Sequence, residues 1–193
     1  MCMGSVYERT IMRIGIAGAQ SVGKTTLLNA LRSEPEFKDY EICNEVTRRV
    51  SSYGLPINEE GNDITQRLIM QEHIVNVFMY DNMITDRTVL DGFVYSSYLL
   101  TGQKINTNTY LYADRIFERV INYYDLLFYI PPEFDIKDDG VRSTDLKFRD
   151  DIASLFEYII IERFIPVIHL QGTVRERVGQ VLKFVKEKNE STR

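Results

Sequence analysis

The chain has 193 residues, enough for one α/β domain whose core needs no staples, since at that length roughly 70% of the unfolded surface can be buried. Lys plus Arg number 23 and Asp plus Glu 28, and the net charge of −5 argues against a non-specific nucleic-acid coat or a polybasic membrane binder. Two cysteines, Cys2 and Cys43, argue against a disulfide framework, and no apolar run approaches the ~18–20 residues of a membrane span, so a reducing cytoplasm is the expected location.

Residues 1–11 read as a short N-terminal extension, and the regular pattern starts at Met12. Ile11 to Ala17 is a buried strand, followed at once by glycines and a helical pattern with Leu27, Leu28 and Leu31 on one face. Tyr40 to Asn44 is a second, short strand. After a polar loop over 54–62, Asp63 to Tyr80 carries Ile64, Leu68, Met70, Ile74, Val75 and Phe78 at helical spacing. Met83 to Asp86 is a third strand, and Asp91 is placed to cap a helix reaching about Leu100. Tyr110 to Asn122 is again helical, and Asp125 to Ile130 is a strand stopped by Pro131-Pro132. The polar stretch 133–145 leads to a helix over Leu146 to Arg163, a last strand from Phe164 to Leu170, and a closing helix from Thr173 to Lys186. Strands alternating with helices imply an α/β fold of three layers, a parallel sheet of about five strands with helices on both faces. The stretches 54–62, 101–109 and 131–145 read as loops over a site, not as domain boundaries.

Gly18-Ala19-Gln20-Ser21-Val22-Gly23-Lys24-Thr25 fits G-x-x-x-x-G-K-[ST] at every fixed position, with an apolar strand before it and a helix after it. The glycines allow a tight backbone whose N–H groups face phosphate oxygens, and the helix N-terminus adds its positive end. Gly18, Gln20, Ser21, Val22, Gly23, Lys24, Thr25 and Thr26 are therefore the candidate ATP-binding residues, with Lys24 reaching the β- and γ-phosphates and Thr25 holding Mg²⁺. The alternative, a glycine turn carrying a chance Gly-Lys-Thr, fits the strand–loop–helix context poorly. Residues 12–193 thus read as one P-loop NTPase domain.

The rest of the chain sorts the class. Neither the Asp-x-x-Gly switch nor the Asn/Thr-Lys-x-Asp guanine reader of a GTPase occurs anywhere. A motor-type ATPase would end an apolar strand in Asp-Glu, whereas Met83-Ile84-Thr85-Asp86-Arg87 puts Arg in the second place. Asp86 can hold Mg²⁺ through water while Arg87 grips an acceptor oxygen or phosphate, an arrangement that suits phosphoryl transfer. Glu45 follows the second strand, at the ligand-binding edge of a parallel sheet, and Arg48 lies one helical turn later. Glu45 can accept the proton of an attacking hydroxyl and Arg48 can neutralise charge near the transferred group; a plain surface ion pair at i, i+3 has the same spacing.

Together, Gly18–Thr26, Glu45-x-x-Arg48 and Asp86-Arg87-x-x-x-Asp91-x-x-x-Tyr95 resemble the NadR-like branch of P-loop kinases. That branch includes the ribosylnicotinamide kinase domain and many often phage-borne proteins, and lies near the thymidylate and deoxynucleoside kinases. The resemblance spans roughly residues 13–180. At Asp86-Arg87-Thr88 the chain departs from thymidylate kinases, which usually show an aromatic after the Arg. The resemblance implies a short lid over 131–145 whose Arg142 stabilises the transferred group, and a base-binding loop at Gly172-Thr173-Val174-Arg175; a solvated charged loop and an N-cap at Thr173 are the structural alternatives.

His73 and His169 have no metal-ligand spacing around them, so a zinc site is rejected, and most of the tyrosines read as core or rim, with Tyr95 favoured for the site. The expected activity is transfer of the γ-phosphoryl of ATP, with Mg²⁺, to a nucleoside or nucleoside monophosphate, Lys24, Glu45, Arg48, Asp86, Arg87 and Arg142 being the catalytic set. A kinase acting on a hydroxyl or modified base within DNA, and a nucleotide-binding regulatory ATPase, are the alternatives. The acceptor's identity and the oligomeric state, homodimer included, stay open at this level.

Overall fold

The structure, a computed structural model, describes residues 11–44, 46–133 and 146–191. Five parallel strands, β1 (Met12–Ala17), β2 (Glu41–Cys43), β3 (Asn82–Asp86), β4 (Leu126–Tyr129) and β5 (Ile168–His169), form a sheet in the order β2-β3-β1-β4-β5. Seven α-helices are described: α1 (Lys24–Leu31), α2 (Val46–Ser52), α3 (Asp63–Met79), α4 (Val89–Thr101), α5 (Thr107–Val120), α6 (Leu146–Glu162) and α7 (Val174–Ser191). α1 and α7 pack together on one side, and α3, α4, α5 and α6 form the opposing layer. With both faces covered, the central strands read as continuous apolar runs: Met12, Ile14, Ile16 and Ala17 of β1 and all of β4 are buried. No helix among the described residues is long and apolar enough to cross a membrane.

The fold class is the expected one, and the departures have local causes. Thr88, not Asp91, caps α4: its hydroxyl accepts from Leu90 N–H, while Asp91 at the third helical position accepts from Thr88 N–H at 2.9 Å in a capping box. α5 starts three residues before the expected Tyr110 because the Asn106 side chain accepts from Thr109 N–H at 3.0 Å. Of the apolar run 164–170 only Ile168–His169 form a strand, with Leu170 N–H adding a bond to the Tyr129 carbonyl at 2.9 Å, since Phe164 adopts a left-handed φ of 52° and Pro166 has no N–H to donate. The helix α2, absent from the expected elements, buries Val46 and Val50 against Ile69 of α3 in a small satellite core. Cys43 is a free thiol, and burial, aided by Glu41, pushes its pKa up to about 12, which leaves it chemically quiet.

Strand order fixes where chemistry can occur. β1 runs between β3 and β4, so the loop after β1 emerges beside the C-terminal end of β3 at the point where the connections diverge.

Candidate active site

The turn leaving β1 is built on two glycines with left-handed backbones. A Cβ on Gly18 (φ 147°) would lie 2.6 Å from the Ile130 carbonyl oxygen, and Gly23 (φ 93°) forms the N-cap of α1. Lys24 is buried in this turn, its Nζ donating to the carbonyls of Gly18 and Ala19, each at 2.6 Å. Its ammonium thus lies across the loop where anionic oxygens would be received. Thr26 stands exposed on the first turn of α1.

Thr25 Oγ1 donates to Asp86 Oδ2 at 2.5 Å, which ties α1 to the end of β3. A hydroxyl and a carboxylate converging beside a phosphate loop are the hard oxygen pair that suits Mg²⁺, so the residues fit that ion. Gln20, Ser21, Lys24, Thr25, Asp86 and Arg87 line one cavity of about 50 Å³, closed on the far side by Thr47, Arg48, Ile57 and Asn58. The cradle, the Asp-Arg pair and Arg48 are therefore brought to a single place. Three residues on its walls hold left-handed φ angles that side chains rarely adopt: Ser21 at 60°, Asn58 at 56° and Arg87 at 87°. Arg87 is held there by its N–H on the Ile16 carbonyl (3.0 Å) and by its own carbonyl, which accepts from the Thr85 hydroxyl (2.8 Å).

Beneath Arg87 lies Tyr95, its ring centroid 5.3 Å from the guanidinium. Burial raises the phenol's pKa, so it keeps its proton and donates to Gln20 Oε1 at 2.8 Å. Asp91 accepts from Gly18 N–H (3.3 Å) with one oxygen and from Thr88 with the other, so the start of α4 is fastened to the phosphate loop. Burial holds its carboxyl above the usual Asp range, against the opposing pull of Lys24 and Arg87.

Of the acceptor-side residues, Arg48 lines the cavity, while its neighbour Arg49 turns away to pair with Glu72 of α3 at 2.5 Å. Glu45 lies outside the described residues, on the two-residue connection between β2 and α2. Arg142 and most of the expected lid also lie outside them. Behind Arg87 a narrower recess is lined by Thr47, Asn58, Gln66, His73, Asp91 and Tyr95 among others. Sequence reasoning treats His73 as bland and omits Gln66 and Asn58. A signal exists: Gln66 and His73 are polar residues seven apart on α3, and both are 1% exposed on its packed face.

The loop after β5 adds a residue that the sequence leaves unmarked. Arg175, expected near a base, is exposed, and Arg177 is the residue that reaches the phosphate loop. Its Nη1 donates to the Val22 carbonyl at 2.9 Å and its Nη2 lies 3.3 Å from Glu133 Oε2. Glu133 in turn accepts from Gly172 N–H at 3.0 Å, so Gly172, itself at φ 86°, is linked to the cradle through two charged side chains. Thr173 does serve as an N-cap, its hydroxyl oxygen accepting from Glu176 N–H at 3.4 Å, while its own N–H and hydroxyl donate to the Glu176 carboxylate at 2.7 Å and lower that carboxyl's pKa.

A family model described as an AAA domain, AAA_28, matches residues 13–177. The chain belongs to that family. Among solved structures, NadR in complex with NR is similar over 84% of this chain and 46% of its own, with TM-score 0.65 and 18% identity. NadR in complex with NAD and AMP-PNP gives TM-score 0.67 and 16% identity over 93% of this chain and 49% of that one. Deoxyadenosine kinase from M. mycoides, with the products dCMP and dCDP bound, gives TM-score 0.68 and 15% identity over 91% of this chain and 99% of that one. The chain thus spans about half the length of the NadR proteins and nearly all of the deoxyadenosine kinase. No curated protein matches its sequence. The expected kinship with NadR and the deoxynucleoside kinases holds at the level of the P-loop kinase fold.

Proposed function

We propose that the protein is a P-loop kinase that transfers the γ-phosphoryl group of ATP to a hydroxyl of a nucleoside-type acceptor. The observation that carries this reading is the shared cavity, lined by Lys24, Thr25 and Asp86 together with Arg48 and Arg87. A nucleotide switch that only binds and hydrolyses has no use for two arginines lining the same cavity from acceptor-side elements. NadR and deoxyadenosine kinase, whose structures hold nucleosides and nucleotides, add support through their fold.

In this mechanism the loop amides and Lys24 would bind the β- and γ-phosphates, and Thr25 with Asp86 would hold Mg²⁺, which would supply neutralising charge. Glu45 takes the proton of the acceptor hydroxyl as that oxygen forms its bond to the γ-phosphorus. The β–γ bridging P–O bond breaks, and ADP leaves with the electron pair. Arg48 and Arg87 stabilise the charge spread over the transferred group, with Arg142 as a further cation from the 133–145 stretch.

The test is a transfer screen with γ-labelled ATP across nucleosides, nucleoside monophosphates, nicotinamide riboside and DNA. Labelled product from a nucleoside, lost in Lys24→Ala, supports the reading. Label on DNA alone, or phosphate release with no labelled acceptor, overturns it.

A further inference from the structure

Between the two glycines of the phosphate loop stand two side chains whose polar groups the fold leaves unmatched. Gln20 is 1% exposed, and its Nε2 is buried with no hydrogen-bond partner among the described residues; Ser21 Oγ, next in the chain, is buried and unmatched in the same way. Buried donors are nearly always paired, because an unpaired one loses its water without compensation. The other end of the Gln20 carboxamide is committed, since Oε1 accepts from the Tyr95 hydroxyl at 2.8 Å. A carboxamide is planar and its oxygen and nitrogen diverge, so a bond that fixes the oxygen also fixes where the two N–H groups of Nε2 lie. Tyr95 is itself held, buried on α4 with its ring 5.3 Å from the Arg87 guanidinium and edge-on to Phe148 at 6.0 Å.

The cavity that these donors border has the character of an anion site. Gln20 and Ser21 line it together with three cations, Lys24, Arg48 and Arg87, against one carboxylate, Asp86. Its volume of about 50 Å³ holds roughly three to five waters, the scale of a phosphoryl group and too little for a base. Loop residues and acceptor-side residues meet only a few ångströms apart across such a space, which is where a group passing between them would travel. The carboxylates around the loop are engaged elsewhere, Asp86 with Thr25 Oγ1 and Asp91 with Gly18 and Thr88. An oxygen from outside the chain is what the Gln20 amide lacks.

We infer that Gln20 is a catalytic residue of the transfer, donating from Nε2 to an oxygen of the phosphoryl group in flight, and that Tyr95 is its positioning residue. This rests on the kinase reading for the transfer itself. Gln20 forms no covalent bond and gives up no proton: the acceptor oxygen bonds to the γ-phosphorus, the bridging P–O bond to the β-phosphate breaks, and ADP keeps the electron pair. A neutral donor set in place beforehand stabilises the charge carried by the equatorial oxygens without reorganising at the moment of reaction.

ADP with aluminium fluoride, a mimic of the group in flight, and AMP-PNP, a mimic of bound ATP, separate this role from ordinary nucleotide binding. Gln20→Met keeps the side chain's length and removes both polar ends. It should bind AMP-PNP within about twofold of the wild type, yet lose about 10²-fold in kcat and in affinity for ADP with aluminium fluoride. Tyr95→Phe, which removes one oxygen, should lose about 2–10-fold in the same two quantities, and it carries the test alone if Gln20→Met does not fold. The double variant should be no slower than Gln20→Met, because the hydroxyl acts through the amide. If no acceptor takes label, the kinase reading fails, while the aluminium fluoride measurement still reports on Gln20, since hydrolysis builds the same charge. Equal losses of affinity for the two mimics, or wild-type values in Tyr95→Phe, overturn the inference, and fully additive losses overturn the role given to Tyr95.

Discussion

Lowering the pH should expose the energetic consequence of burying His73. In the unfolded chain its imidazole takes up a proton near pH 6.5, whereas in the folded protein burial delays protonation to about pH 3. Between those values the unfolded state binds more protons than the folded one, so stability must fall as pH falls, with nothing lost above about pH 7. Protonation of the unfolded form is worth about 2 kcal/mol between pH 7 and pH 5, with the folded ring still neutral, an amount equivalent to about 4–8 °C in Tm for a domain of this size. To isolate this ring, the comparison is the wild type against His73→Phe measured at both pH values by urea unfolding. Arg87 and Asp91, the charged groups packed around the ring, are present in both proteins. The wild type should lose about 2 kcal/mol more than the variant between pH 7 and pH 5. Equal losses would refute the reasoning, because the ring would then be titrating as freely in the folded state as in the unfolded one.

Lys24→Ala should leave the urea midpoint near that of the wild type and reduce γ-phosphoryl transfer below detection, because the proposed mechanism has Lys24 offset charge between the β- and γ-phosphates; near-normal turnover would remove the cradle from the mechanism. Gly15→Ala should cost about 1–3 kcal/mol, read as a lower urea midpoint, since the new Cβ would lie 2.6 Å from Thr88 Cγ2, 2.9 Å from Leu127 Cδ1 and 3.0 Å from Tyr124 Cδ1, all in packed surroundings. Arg177→Met should raise the KM for ATP more than it lowers kcat, because the Val22 carbonyl and Glu133 lose the guanidinium that sets the loop's position; an unchanged KM would separate α7 from nucleotide binding. Glu45→Gln should cut kcat by about 10²–10⁴-fold if the acceptor is a hydroxyl, whereas a small kcat change beside a large KM rise in Arg87→Ala would indicate an already ionised phosphate acceptor.

The donor half of the site is legible in the amino-acid string because it is local: Gly18 to Thr25 is one turn, and its chemistry needs residues that are neighbours in sequence. Asp86-Arg87 is legible for the same reason, as a charged pair closing an apolar strand. The recess is not, because Thr47, Asn58, Gln66, His73 and Tyr95 arrive from four separate segments, and a histidine on a helix carries no mark of what will be folded over it. Arg177 shows a subtler limit. Four arginines and lysines lie within Arg175 to Lys186, and helical phase decides that Arg177 is buried under the phosphate loop while Arg175 is exposed. Strand boundaries suffered where one residue type overrode the apolar pattern, as Pro166 does before β5.

The placement of β1 at the centre of the sheet has a consequence for how the protein can be made. β1 is made before its sheet partners and carries the phosphate loop with it, and those partners lie far downstream. Met12 N–H is satisfied by Asn82 at a separation of 70 residues, and Arg13 N–H by Asp125 at 112. Until Leu126–Tyr129 has been synthesised, β1 is a strongly apolar strand with an open edge, the kind of surface that pairs with the wrong chain. Pairing across such long separations is the kind of contact that slows folding. The turn after β1 is also completed late, because the Ala17 carbonyl accepts from Ile130 N–H at 3.0 Å, far downstream in the chain. Truncations ending before residue 126 should therefore neither bind nucleotide nor remain soluble, even though every residue of the phosphate motif is present.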